Sequence, residues 1–369
     1  LADIRYQKFA QILVDYSTAI KPGERVAITA TTEAIPVVRE LFTLILQRGA
    51  YPHLLLDIPD QEELYFAHAS DEQLDFIPTF HKIAFEEFQV LIKIRSETNT
   101  RALTDVPPER LTRRQKGLSP LLAAQMRRGA DRSLRWMATL FPTRAYAMEA
   151  SMGYEEYQDF FYRACKADEA TADPVAEWQA VRAQQQTYIN RLEGHDQVTL
   201  RGPNVDLTLS IKGRKFVNAC GLVNLPDGEI YTGPVEDSVN GWVRYTYPAV
   251  YQGRVVSGIE LKFENGRVVQ ATAEKNQDLL LRTLDSDAGA RYVGEFAIGT
   301  NFQIDRFTHN ILLDEKIGGS FHMALGAGYP ETGSQNKSVV HWDMICDMRQ
   351  DAEILVDGEA IYRNGVFLV

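Results

Sequence analysis

Between Glu295 and Asp343 the sequence gathers Glu295, Asp314, Glu315, His322, Tyr329, His341 and Asp343, laced with glycines. Three of the chain's seven histidines, His309, His322 and His341, fall in this window. Carboxylate oxygens and imidazole nitrogens together, with no thiolate, are the donors a divalent cation takes. His341 and Asp343 stand two apart, so on a strand both point to one face. His322 lies in a short apolar run, Phe321–Leu325, after a Gly-Gly turn, and Glu295 lies in an element bounded by Gly294 and Gly299. Taken singly, each of these residues reads as structural, because a lone histidine is more often a hydrogen-bonded core residue than a ligand; His309 is read that way. The combination reads differently, since burying several ionisable groups in a β-rich region is costly unless a cation compensates. Two or three oxygens with two nitrogens satisfy one ion, whereas five or six ligands with shared carboxylates suggest two. The motif HExxH is absent, which excludes a helix-borne single-zinc peptidase. The window reads as the catalytic half of a metal-dependent hydrolase.

The elements that must carry this window divide the chain in two. In the first half, Ile4, Phe9, Ile12, Leu13 and Tyr16 recur at helical spacing and predict an amphipathic helix over 2–19. A Lys-Pro-Gly-Glu turn then leads into a strand over Arg25–Ala30, and Thr31 or Thr32 caps a helix running from Glu33 to Arg48 and stopping at Gly49. Strands follow at Pro52–Asp57 and Val90–Ile94, with helical pieces over 60–88 between them, and another strand over Leu134–Thr143. Strands alternating with helices of this length predict parallel pairing with crossovers. Neither GxGxxG nor a Walker A loop follows these strands, which argues against a nucleotide cofactor. The basic segment Glu109–Arg128 reads as a solvated helix face or a subunit contact paired with acid. The aromatics Phe160, Phe161, Trp178 and Tyr188 fall on apolar faces of a mainly helical stretch and read as packing.

From Gln197 the texture changes to short alternating strands with Gly-Pro-Asn and Lys-Gly-Arg turns, and a turn ending in Asp227-Gly228 delivers Glu229 into the start of a strand. Further strands are expected at Gly241–Tyr247, Gly253–Glu264 and Arg267–Glu274, with a helix over Lys275–Leu284. The expected plan is an α/β domain with a parallel sheet over 1–190 and a β-rich α+β domain over 191–369, a division that 369 residues also favour. Composition narrows the partners. A formal net charge of −11 lacks the basic footprint of a nucleic-acid binder. The N-terminus carries charges throughout and does not read as a signal peptide, and the chain has no run of about 18 apolar residues with which to span a membrane. Cys165, Cys220 and Cys346 are odd in number and lack CxxC spacing, which argues against a disulfide framework and points to a reducing cytoplasm.

Four segments in order, Asn224–Pro234 (NLPDGEIYTGP), Gly294–Asn301 (GEFAIGTN), Asp314–Pro330 (DEKIGGSFHMALGAGYP) and Asn336–Asp343 (NKSVVHWD), resemble the dinuclear-metal aminopeptidases typified by aminopeptidase T, aminopeptidase S and PepS. The resemblance covers most of the chain, is densest in the second half, and extends to Phe141–Ala147 and Met152–Phe161, which look like that family's interdomain part. It implies metal ligands at Glu229, Glu295, His322, His341 and Asp343 and an active-site tyrosine at Tyr329. Glu315 is a further acidic position of the same motif, as a ligand or as a general base. It also implies two divalent ions (Zn, Co or Mn), peptide substrates with a free N-terminus, and a homodimer. Tyr329 is then expected to hydrogen-bond the oxyanion. The stretch between Tyr329 and His341 is short for that family. The same ligand set also suits another two-ion hydrolase, an amidase or phosphoesterase, or a metal-binding protein without catalysis.

Overall fold

The computed structural model describes residues 3–251 and 253–368. They form two compact units, one comprising the chain to Trp178 plus Gly221–Pro226, the other Gln179–Cys220 and the chain from Asp227 onward.

The first unit is built on a parallel sheet of β1 (Arg25–Thr31), β2 (Tyr51–Asp57), β3 (Val90–Arg95) and β4 (Arg135–Leu140), in the order β2-β1-β3-β4. Val26, Ile28, Leu91, Ile92 and Met137 are fully buried along it, as expected of strands covered on both faces. Thr31 caps the following helical segment by accepting from the Glu33 amide, and Val37, Val38, Leu41 and Ile45 line the buried stripe of the helix Ile35–Gln47. The first helix differs from its expected form. It is α-helical only over Ile4–Gln11 and widens to a π-helical turn over Ile12–Ser17, where the Thr18 amide and hydroxyl both donate to the Leu13 carbonyl. A fifth, two-residue parallel strand, Asn224–Leu225, joins β4.

The basic segment lies on the helix Pro108–Ala130, and its arginines serve structure. Arg113 grips Asp71 and Asp75, each at 2.6 Å. Arg110 donates to the Phe66 and Ala69 carbonyls, Arg114 to those of Leu74 and Phe76, and Arg128 to those of Phe85 and Phe88. Three short helices thus have their open C-terminal carbonyls closed by guanidinium groups.

The second unit holds two antiparallel sheets whose inner residues share one core. The larger runs, in spatial order, Arg267–Thr272, Glu260–Glu264, Asn240–Arg244, Val205–Ser210, Gln197–Gly202, Glu353–Val356, Glu359–Arg363 and Val366–Phe367. The strand expected over Gly253–Glu264 is broken at Gly258, whose φ of +64° turns the chain, and Arg254–Val256 pairs instead with Ala249–Tyr251 as a ribbon. The smaller sheet consists of β5 (Val217–Ala219), β6 (Glu229–Thr232), β7 (Val293–Gly299), β8 (Ser320–Gly326) and β9 (His341–Asp347), in the order β9-β8-β7-β6-β5. This sheet carries the chemistry.

Candidate metal centre

The two faces of the smaller sheet have opposite characters. Ile230, Phe296, Ile298, Phe321, Met323, Leu325, Trp342, Met344 and Cys346 all enter the core. The intervening positions must point the other way. They are Glu229 and Tyr231 on β6, Glu295, Ala297 and Gly299 on β7, His322, Ala324 and Gly326 on β8, and His341, Asp343 and Ile345 on β9. Register decides which of these meet: Gly299 lies opposite Glu229, Ala297 opposite both Tyr231 and His322, Ala324 opposite both Glu295 and Asp343, and Gly326 opposite His341. Small residues therefore separate the ionisable ones and leave room among them. Ala324→Val is predicted to fold at a cost of about 1–3 kcal/mol from overpacking and to weaken divalent-metal binding at least tenfold, read by calorimetric titration; unchanged binding refutes this use of Ala324.

The carboxylates and imidazoles converge. His322 Nε2 lies 3.5 Å from Glu229 Oε2, 3.7 Å from Glu295 Oε1 and 3.9 Å from Asp343 Oδ1. His341 Nε2 lies 3.4 Å from Glu295 Oε2 and 3.7 Å from Asp343 Oδ1. Glu295 thus offers one oxygen to each histidine. His341 Nδ1 is 2.8 Å from the Ala327 carbonyl, so its N–H donates there and turns Nε2 to the cluster. Three overlapping groups have potential ligand atoms within 4.8 Å of one another: Glu229 with Glu295 and His322, Glu295 with His341 and Asp343, and Glu315 with His322 and Asp343. Glu229, Glu295 and His322 are at most 4% exposed. Glu229 Oε2, both His322 ring nitrogens and Asp343 Oδ1 are buried with no hydrogen-bond partner. Orphaned polar atoms of this kind are costly, and an oxygen-and-nitrogen set suits a divalent ion that would satisfy them.

The electrostatics carry the same message. Burial pushes Glu295 upward, but the facing imidazoles of His322 and His341 outweigh it and hold the carboxyl at about 2. Burial works against charge on both histidines, yet the surrounding carboxylates raise His322 to about 9 and His341 to about 10. Burial lifts Glu229 to about 8 even with Lys316 pulling it down, and Asp343 to about 6 against His341. Without an added cation the site holds more negative charge than it can keep ionised. Burial first, and then Glu295 and its neighbours, push the Tyr329 and Tyr231 phenols far above 10, so both stay protonated and available as donors. The Tyr329 ring packs 5.2 Å from His341 and 5.3 Å from Tyr231.

All six acidic and imidazole residues singled out by the family resemblance come together here, with Tyr329 beside them. Asp314 does not join them: it is buried elsewhere and accepts from the Thr308 amide and hydroxyl. His309 packs its ring on Phe307. Three residues of the site escaped sequence reasoning: Tyr231, Asp227 and Lys316. Tyr231 stands two residues from Glu229 on the same strand, a spacing that signals a shared face, whereas Asp227 lies in the turn before it. Lys316 is 1% exposed, with Nζ 2.6 Å from Glu229 Oε1, 2.5 Å from Glu315 Oε1 and 3.8 Å from Asp227 Oδ1. Its turn lies close on the sheet because position 299 has no side chain; a Cβ on Gly299 would meet the Ile317 carbonyl at 2.2 Å.

The short stretch before His341 is pinned. Asp287 accepts from the Gly289 and Ala290 amides with one oxygen and from Ser338 Oγ and the Val339 amide with the other. These bonds, the one from Val339 foremost, hold its carboxyl below the usual range. A depressed folded pKa stabilises above the unfolded value of about 3.9, and that contribution is lost as pH falls through the folded value. Asp287→Ala should therefore lower stability at neutral pH by about 1–2 kcal/mol, with the difference from wild type shrinking in acid; an equal deficit at every pH contradicts it.

A family model described as thermophilic metalloprotease (M29) matches residues 2–367. Aminopeptidase 2 of Geobacillus stearothermophilus is 29% identical over 97% of this chain and 96% of its own length. Aminopeptidase T of Thermus thermophilus is 28% identical over 97% and 95%. The solved structure of wild-type AmpT from Thermus thermophilus superposes with a TM-score of 0.84 over 99% of both chains at 24% identity, which shows a common fold.

Proposed function

The chain belongs to the thermophilic metalloprotease (M29) family, and from that premise we propose that it is a metal-dependent aminopeptidase, releasing residues from peptides with a free N-terminus. The observation that carries the reading is Glu295, one oxygen toward each of two histidines at the centre of a single sheet face. Glu229, Glu295, His322, His341 and Asp343, with Glu315 beside them, would hold two divalent ions; Zn, Co and Mn all suit three or four carboxylates and two imidazoles. Bound ions supply Lewis acidity toward a carbonyl and make water a competent nucleophile near neutral pH.

The rest falls to the chain's own groups. Tyr329 donates its O–H to the oxyanion that develops on the scissile carbonyl oxygen. Glu315, mostly buried at the edge of the cluster, is in this reading either a ligand or the base that passes a proton to the leaving amine. His341 keeps Nε2 on the cluster through its Ala327 bond, and the near-complete burial of Glu229 and His322 excludes bulk water from that side. The reading extends to two-domain organisation near residue 190, a homodimer and a cytoplasmic location, with the buried cysteines compatible with a reducing compartment.

A panel of aminoacyl-p-nitroanilides tests the reaction, with N-acetylated versions as controls, before chelation, after it, and after adding back Zn, Co or Mn. Cleavage of free-amine substrates alone, lost on chelation and restored by metal, is expected. Turnover of the acetylated substrates, or cleavage indifferent to chelation, contradicts the assignment.

A further inference from the structure

Lys316 is a buried charged group that the reaction as described leaves unused. Its ammonium is as inaccessible as any core side chain, and withdrawing it from water costs several kcal/mol unless its partners are well placed. Those partners are Glu229, Glu315 and, farther off, Asp227. The backbone around it is fixed: the Asn301 amide donates to the Lys316 carbonyl at 3.1 Å and the Gly318 amide to the Asn301 carbonyl at 3.0 Å. Lys316 takes up Glu229 Oε1 and leaves Oε2, the oxygen without a partner, 3.5 Å from His322 Nε2.

We propose that Lys316 is a positioning residue of the metal centre, fixing Glu229 as a one-oxygen donor and tethering Glu315 beside it. The inference rests on the reading above that Glu229 and His322 hold an ion. Charge supports it. With two divalent ions bound and all five carboxylates ionised, Asp227, Glu229, Glu295, Glu315 and Asp343 would carry five negative charges, of which the ions offset four. A single ammonium restores neutrality from inside the protein. A hydrogen bond of 2.6 Å to one carboxylate oxygen also opposes the two-oxygen chelation that a flexible glutamate would otherwise adopt. Lys316 acts through Glu229 and Glu315 and needs no contact with substrate.

The test uses metal-free full-length protein, titrated calorimetrically with Zn²⁺ and, separately, followed by the visible absorption of added Co²⁺. Wild type is expected to take two equivalents. In Lys316→Met and Lys316→Gln one equivalent should keep its affinity, the other should weaken at least tenfold, and the Co²⁺ bands of that equivalent should change shape. Affinities within twofold of wild type with unchanged bands overturn the proposal and reduce Lys316 to a buried ion pair. Should these variants fail to fold, Glu229→Gln/Lys316→Met removes opposite charges together. Against Glu229→Gln alone, the added lysine change should then alter Zn²⁺ affinity by less than threefold; a further tenfold loss overturns action through Glu229. A wild type that binds no metal defeats the reading of the site itself, whereas two equivalents bound alike by wild type and variants defeat only the role of Lys316.

Discussion

Glu295→Ala is expected to lose both metal equivalents and all measurable peptide hydrolysis while the protein remains folded. Glu295 alone in the cluster directs separate oxygens to His322 and His341, so its removal strips a donor from both ion positions at once. Changes to residues that merely support a ligand typically cost about 10–100-fold in metal affinity or activity; loss of a donor common to two ions should exceed that range. The fold should survive, because the opposite face of β7, through Phe296 and Ile298, keeps its place in the core. Glu229→Ala is the informative contrast: with one oxygen already taken by Lys316, it should lose one equivalent and retain the other. Metal content by atomic absorption, far-ultraviolet circular dichroism and turnover measured on the same preparations decide the matter. Full turnover with normal metal content in Glu295→Ala removes Glu295 from the centre.

Tyr329→Phe should lower kcat by about 10²–10³-fold, the loss usual for one oxyanion donor, with little change in metal content or KM. The ring would keep its packing against Tyr231 and His341, so only the O–H disappears. Burial first, and then the neighbouring carboxylates, push this phenol upward. An unchanged kcat shows that Tyr329 does not donate in the transition state. A raised KM with kcat intact assigns it to substrate binding. The adjacent Tyr231 phenol, equally protected from ionisation, makes Tyr231→Phe the natural companion measurement.

The first unit was readable because its signals are local. Alternating β-branched strands and capped helices announce a parallel sheet, and Thr31 and Gly49 bracket their helix as expected. What escaped was non-local or too short to have a period. Asn224–Leu225 is only two residues long, and its place beside β4 depends on pairing with Ala138 and Thr139 far away in sequence. The segment Glu109–Arg128 reads from sequence as a solvated helix face or a subunit contact paired with acid; its pairing with Asp71 and Asp75 and its grip on helix-terminal carbonyls depend on tertiary position.

The site shows the same division. His341 and Asp343 share a face by spacing alone, whereas the convergence of Glu229 from another strand came from family resemblance and from no local pattern. Ala297 and Ala324 look like ordinary apolar residues until register sets them between ionisable partners. Lys316 follows Asp314 and Glu315 in a turn, and no local pattern marks it; the close approach of that turn at Gly299 buries it against Glu229.

The central claim is that one face of a five-stranded sheet holds two divalent ions between Glu229 and Asp343. Equilibrium dialysis of chelated protein against Zn²⁺, Co²⁺ or Mn²⁺, with metal counted per chain and free-amine p-nitroanilide turnover followed at each step, tests it most directly. Two equivalents per chain, with turnover restored as they fill, is the predicted result. Full turnover reached with fewer than two equivalents, or two bound equivalents in Glu295→Ala, contradicts it.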